Sequence, residues 1–189
     1  GVFCENRLRL IKTRIKEAKM NSDWVILNYH GGEEYSVYPS PMKRNLLIKY
    51  SRIEGVDIII SHHSHVFQGF EKVNNSYIFY SLGNFIFNMK LHEKIVETQK
   101  SVFVKFKFSK NIFSFEIIPL ELDIQNGITG ISKDIFYDKF DFSNIKKKWR
   151  KEAYRIIFPE NSFIRTTVDL DTIKQIKRIA HNKQLFKIL

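Results

Sequence analysis

The sequence predicts an α/β fold: a βαβ unit of parallel strands, a β-hairpin after it, and a basic, mainly helical C-terminal extension. Three observations predict it. Two short, nearly continuous apolar runs, WVILNY (24–29) and VDIII (56–60), flank a stretch of helical periodicity. An alternating segment, SVFVKFKF (101–108), meets a second apolar run across a Ser-Lys-Asn turn. Beyond residue 127 strand patterning weakens and basic residues accumulate: residues 137–189 hold 13 Lys and Arg against 6 Asp and Glu, which is +7 of the net +11.

Each element has its own justification. In residues 6–19, Leu8, Ile11, Ile15 and Ala18 recur at helical spacing, with Lys and Arg opposite. The segment NSD (21–23) breaks this helix before the first strand, which reads as buried on both faces. Ser40 is suited to cap the next helix and Pro41 to its first turn. Leu46, Leu47, Tyr50 and Ile53 make its apolar stripe, and Gly55 is placed to end it. The second strand follows at 56–60, and SYIFYS (76–81) reads as a third. In the hairpin, Val102, Val104, Phe106 and Phe108 share one face, with Lys105 and Lys107 on the other. Ser143 is placed to cap a helix that turns Ile145, Trp149, Ala153 and Ile156 inward, and a last helix is expected from Asp171 to about Asn182.

Composition bounds the function. At 189 residues the chain fits one domain, or one domain with an appendage, the division then falling between 1–125 and 126–189. A hydrophobic content of 43%, with 17 Phe, excludes global disorder. No apolar run approaches the roughly 20 residues that span a bilayer. The one cysteine, Cys4, forms no internal disulfide and no Cys-type zinc site. The charge points to a polyanion partner or to solvated lysines; with no nucleic-acid-binding motif present, nucleic acid ranks last.

Chemistry concentrates where such a sheet presents it, at the carboxyl ends of parallel strands. The first strand leads into NYHGGEEY (28–35), the second into SHHSHVFQ (61–68), and the third ends in Ser81, Gly83 and Asn84. Four of the six histidines lie in the first two segments. In extended backbone His63 and His65 point the same way, and His30 on the neighbouring strand supplies a third imidazole. Imidazole suits zinc, iron, nickel and copper and tolerates manganese. The competing reading is that these histidines hydrogen-bond loop backbone. Glu33 and Glu34 offer one candidate general base or partner of a metal ligand, against solvated loop carboxylates. His92 and His181 read as ordinary core or surface histidines outside the cluster.

HGGEEY (30–35), GVDIIISHHSHVFQGFE (55–71) and YSLGNFIF (80–87) together resemble the CapA family, capsule-synthesis proteins linked to bacterial poly-γ-glutamate. That family is similar to calcineurin-like metallophosphoesterases, so the resemblance implies part of their α/β sandwich and a metal-dependent hydrolase-type site at strand ends. By position it makes His30, His63 and His65 metal ligands. It places Glu34 and His62 at the catalytic centre, with Gln68 and Asn84 against substrate. It implies divalent Mn, Zn or Fe, an anionic polymer or phosphoester substrate, other capsule-synthesis proteins as partners, and a cell-envelope or membrane-associated location. Ser61 and Ser64 depart from the family's usual Gly and Pro. The family's upstream Asp-based and Asn-His metal motifs have no counterpart, since only 23 residues precede the first strand. The expectation is a C-terminal portion with half of a two-metal site, weak in metal binding and turnover. The alternative is a non-catalytic fold remnant that binds a polyanion through its basic tail.

Overall fold

The computed structural model describes residues 8–157 apart from 88, 91, 111 and 124, with backbone alone at 94 and 153–157. The fold is mixed α/β, as the apolar runs predict. Helix α1 (Leu8–Met20) leads to strand β1 (Ile26–His30), helix α2 (Pro41–Ser51) and strand β2 (Ile58–His62). Strands β3 (Phe70–Val73) and β4 (Ser76–Phe79) complete a four-stranded sheet of order β1-β2-β4-β3. β1, β2 and β4 are parallel; β3 runs antiparallel to β4. A second, antiparallel sheet holds β5 (Lys100–Phe108), β6 (Phe113–Asp123) and β7 (Ile128–Ile131), and α3 (Ile145–Ile157) follows. No helix among the described residues is long and apolar enough to cross a membrane.

Alternation along the strands sorts side chains between two layers. Ile59, Ile78 and Tyr80 face the helices and close a core with Ile11 and Ile15 of α1 and Leu47 and Tyr50 of α2. On the other face Tyr77 and Phe79 meet the hairpin, with rings of Phe113 and Phe115 5.0–5.5 Å from theirs. The sheet is therefore covered by helices on one side and by a second sheet on the other. The Asp57 carboxylate ties helix to strand, accepting from the Val25 N–H at 2.8 Å and from Lys19 Nζ at 2.9 Å.

Ser40 caps α2 as expected, its hydroxyl accepting the Lys43 N–H at 3.1 Å, with Pro41 in the first turn. Other expectations need correction. β1 is not buried on both faces: it is the sheet edge, the second sheet packs over β4 and β3, and Ile26 is 38% exposed. β1 and β2 each begin two residues later than the apolar runs, and β2 takes His62 into the strand. α2 ends at Ser51 and Arg52, so Gly55 (φ 96°) belongs to the following turn and not to the cap. Ala18 is exposed. Ser143 bonds Asp141 rather than a helix N–H, and the first turn of α3 closes on the Asn144 carbonyl. β3 and β7 are elements that periodicity did not reveal. The helix expected at 171–182, Cys4 and His181 lie outside the described residues.

Past β7 the chain packs back on the first layer. Phe140 lies 5.1 Å from Phe67 and Phe142 5.1 Å from Tyr80. Gly69 permits this approach: at φ 76° it has a backbone that L side chains avoid, and an added Cβ would stand 2.5 Å from Phe140 Cγ.

Candidate functional site

The parallel register brings the two polar strand ends together, with His30 of β1 directly opposite His62 of β2. Beyond β2 the chain leaves extended geometry at once. His63 (φ 104°) and His65 (φ 60°) are both left-handed, as is Tyr35 (φ 63°) in the facing loop. The expected same-side projection of an extended His-x-His is thus not what aims these rings. A bent loop aims them, pinned where Tyr35 N–H donates to the Ser64 carbonyl at 2.8 Å and Gly31 N–H to the His62 carbonyl at 3.3 Å. Non-glycine residues at positive φ cost of order 1–3 kcal/mol each, and such strain gathers at functional sites.

The bend sets His63 Nδ1 3.2 Å from His30 Nε2, with ring centroids 5.0 Å apart. Glu34 Oε1 lies 3.9 Å from His63 Nε2. Burial holds the His63 pKa below its ordinary value against the pull of Glu34; burial, then the charges of His30 and Lys43, does the same for His62. Both rings are thereby kept in the neutral form that binds metal.

His65 belongs to a second group. Its Nδ1 is 2.9 Å from Asn84 Oδ1, and its ring stacks on Tyr35 and packs against Phe87 and His92. Its centroid is 6.4 Å from that of His63. His92, expected outside the cluster, is fully buried inside it. It touches Asn84 Nδ2 at 3.3 Å and the Tyr35 hydroxyl at 3.4 Å, and burial lowers its pKa. The Tyr35 phenol is pushed up to about 12, first by burial and then by the charge and hydrogen bond of Glu34.

Beneath the histidines lies a cation that sequence reasoning missed. Lys43, in the first turn of α2, is 3% exposed and donates from Nζ to Gln68 Oε1 at 3.0 Å. Gln68, itself fully buried, donates from Nε2 to the Ser36 carbonyl at 2.8 Å. Burial pulls the Lys43 pKa down to about 8 against the attraction of Glu33, whose Oε2 is buried with no hydrogen-bond partner. Gly32 makes room for the lysine stem, since an added Cβ would stand 2.6 Å from Lys43 Cδ. A lysine in a helix's first turn reads as solvated; only its position under the Gly31-Gly32 loop reveals it.

The structure thus brings His30, His62, His63 and Glu34 to one rim and places His65 beside it. Gln68 and Asn84 sit below, their amides engaged with Lys43 and Ser36 and with His65, His92 and Thr98. By donor type the cluster suits a transition-metal ion. By position two imidazoles meet, and among the described residues no group of three His, Cys, Asp or Glu is assembled to hold one.

Comparison with known proteins bears on what this rim serves. The family model described as bacterial capsule synthesis protein PGA_cap matches residues 4–89, which include every histidine of the cluster except His92. The chain is 38% identical over 149 residues to the PGA biosynthesis protein CapA of Bacillus subtilis (strain 168), covering 76% of this chain and 38% of that protein. It is 39% identical over 110 residues to the capsule biosynthesis protein CapA of Bacillus anthracis, covering 58% of this chain and 25% of that protein. The chain therefore spans well under half the length of either relative.

Proposed function

Because the chain belongs to the CapA family of bacterial capsule synthesis proteins, we propose that it serves the making of an anionic envelope polymer and carries part of a metal-dependent hydrolase-type site. The observation that carries the proposal is the meeting of His30 and His63 at 3.2 Å on adjacent strand ends. His30 and His63 would hold a divalent ion such as Mn, Zn or Fe, with His65 beside them. When bound, such an ion supplies Lewis acidity and a water of lowered pKa. The chain's own residues contribute the rest. Glu34, 3.9 Å from His63, is the carboxylate placed to take a proton at the rim. His62, kept neutral by burial, is placed to hydrogen-bond a substrate oxygen. Lys43 lies under the same loop as a counter-charge to an anionic group.

The test is metal content after dialysis against Mn²⁺ or Zn²⁺, with turnover of a generic aryl phosphate, for the 189-residue chain and His63→Ala. The expected result is metal held by the parent and lost by His63→Ala. Equal metal in both would sink the proposal.

A second reading has its own observation. Between α1 and α2 lies a groove of about 660 Å³ rimmed by Lys12, Lys16, Lys19, Lys49 and Arg52, with Glu54 its one carboxylate. This favours a non-catalytic polyanion binder. Binding of poly-γ-glutamate that collapses with salt and is lost in a Lys12→Glu/Lys16→Glu/Lys49→Glu variant, while His63→Ala binds normally, would select it.

A further inference from the structure

We propose that Asn84, held by Thr98 and His92, is a positioning residue that fixes His65 in one tautomer, with the proton on Nδ1 and a bare lone pair on Nε2. The inference deepens the metal-site reading and rests on it for its purpose, though not for its geometry.

The orientation of the Asn84 amide is settled by a neighbour. Asn84 Nδ2 faces the backbone carbonyl of Thr98 at 3.3 Å, and a carbonyl only accepts. The atom facing it is therefore nitrogen, and a flipped amide would set two oxygens against each other. The other amide atom is then Oδ1, an acceptor, and it lies 2.9 Å from His65 Nδ1. The hydrogen bond exists only if His65 donates, so Nδ1 carries the proton. A neutral ring has one N–H, which leaves Nε2 as a lone pair.

On its other side Asn84 acts as a donor. Its second N–H points at His92 Nδ1, 3.3 Å off, so this nitrogen accepts and the His92 proton sits on Nε2. His92 Nε2 then donates to the Tyr35 oxygen at 3.4 Å, and the neighbouring Glu34 charge favours the protonated phenol. Each of these links has one donor and one acceptor, so His65 and His92 hold opposite tautomers. Asn84 is the point where the polarity divides. Its own exposure is 6% and that of His92 is 0%, so water does not compete for the bonds from Asn84 to His92 and Thr98. The Tyr35 ring lies over His65 at an interplanar angle of 23°, with Phe87 4.7 Å away, which restrains the ring from rotating out of this bond. Ligand histidines commonly have their second nitrogen fixed in this way, and loss of the partner typically costs 10–100-fold in metal affinity.

The test is long-range ¹H–¹⁵N NMR of the histidine rings in the metal-free 189-residue chain at pH ~8, above the ordinary histidine pKa. The expected spectrum shows His65 protonated on Nδ1 and His92 on Nε2. Asn84→Ala should shift His65 to the Nε2–H form that free imidazole prefers, and should weaken Zn²⁺ binding about 10–100-fold. Asn84→Asp, an isosteric change that carries the test if the alanine variant does not fold, keeps an acceptor at His65. It should leave His65 unchanged while moving the His92 proton to Nδ1, because a carboxylate cannot donate. A parent spectrum with His65 protonated on Nε2, or one unchanged in Asn84→Ala, overturns the proposal. The predicted tautomers in a chain that takes up no metal would uphold the positioning role and overturn the metal reading instead.

Discussion

His30 Nε2 stands 3.2 Å from His63 Nδ1, a contact that joins two adjacent parallel strand ends across 33 residues of chain. Holding it requires His63 at φ 104°, where a side chain is strained. Strain of this kind costs of order 1–3 kcal/mol, and glycine would relieve it at an entropic cost of about 1 kcal/mol. His63→Gly is therefore expected to be more stable than the parent by about 1 kcal/mol, or roughly 2–4 °C in Tm, while retaining less Zn²⁺. Urea denaturation and metal analysis of the two proteins check this. A variant less stable than the parent would show that the His63 ring contributes more to folding than its backbone takes away.

Acid should destabilise the fold through its histidines. Burial is the largest cause of the lowered pKa of His62, His63 and His92; His30, His65 and Lys43 add to it, and Glu34 opposes it at His63 and His92. The unfolded chain takes up protons near pH 6.5 while these folded rings stay neutral, so it binds more protons in the window below that value. Stability is then full above about pH 6.5 and falls as pH drops toward the folded pKa values. In urea titrations His92→Phe should reduce this slope, as one buried ring no longer needs to stay neutral. An unchanged slope in that variant would count against His92 as a contributor.

Lys43 produces the opposite end of the profile. Its pKa is about 8 in the fold and about 10.5 when unfolded. Between those values the unfolded chain binds the extra proton, so stability rises with pH from about 8 toward 10. The buried ammonium costs about 3 kcal/mol at neutral pH on this basis. Above pH ~10 the raised Tyr35 pKa, about 12, reverses the trend, because the unfolded tyrosine ionises first. Lys43→Met should flatten the rise between pH 8 and 10, read from urea midpoints at fixed ionic strength. A rise that persists in the variant would assign it elsewhere.

How much of this was legible depended on how local each feature is. The parallel strands showed because their interiors are apolar and their ends abruptly polar. The Ser40 cap and the hairpin showed because they follow short-range rules. The strand pair β3–β4 turns at Asn74 (φ 54°) and Asn75, a dipeptide between apolar runs that signals a hairpin and was available to be read. β1's exposure was not available, because being at an edge is a property of the assembled sheet. Nor was the left-handed backbone of His63 and His65: histidine visits that region more than most residues, but only the bonds to the facing loop select it at these two positions. His92 lies 27 residues beyond His65 through a stretch without periodicity, and only the closed fold returns it to Asn84.

Arg44 of α2 grips Glu71 of β3 with two parallel bonds, Nε to Oε1 at 2.8 Å and a terminal nitrogen to Oε2 at 2.9 Å. The buried Tyr80 hydroxyl donates to the same Oε1 at 2.5 Å, and its pKa is raised by burial first and by Glu71 next. The carboxylate thus serves two donors in a largely water-excluded place, where bidentate charged bonds are strong. Removing it by Glu71→Ala leaves a guanidinium and a phenol without their acceptor, and should cost about 3 kcal/mol. Tyr80→Phe removes one neutral donor and should cost about 1 kcal/mol. Arg44→Met/Glu71→Leu, which removes both charges and keeps apolar volume, should cost less than Glu71→Ala alone. Urea denaturation of the three variants orders them. If the double variant proved the least stable, the pair would be a net source of stability rather than a charge that must not be left alone.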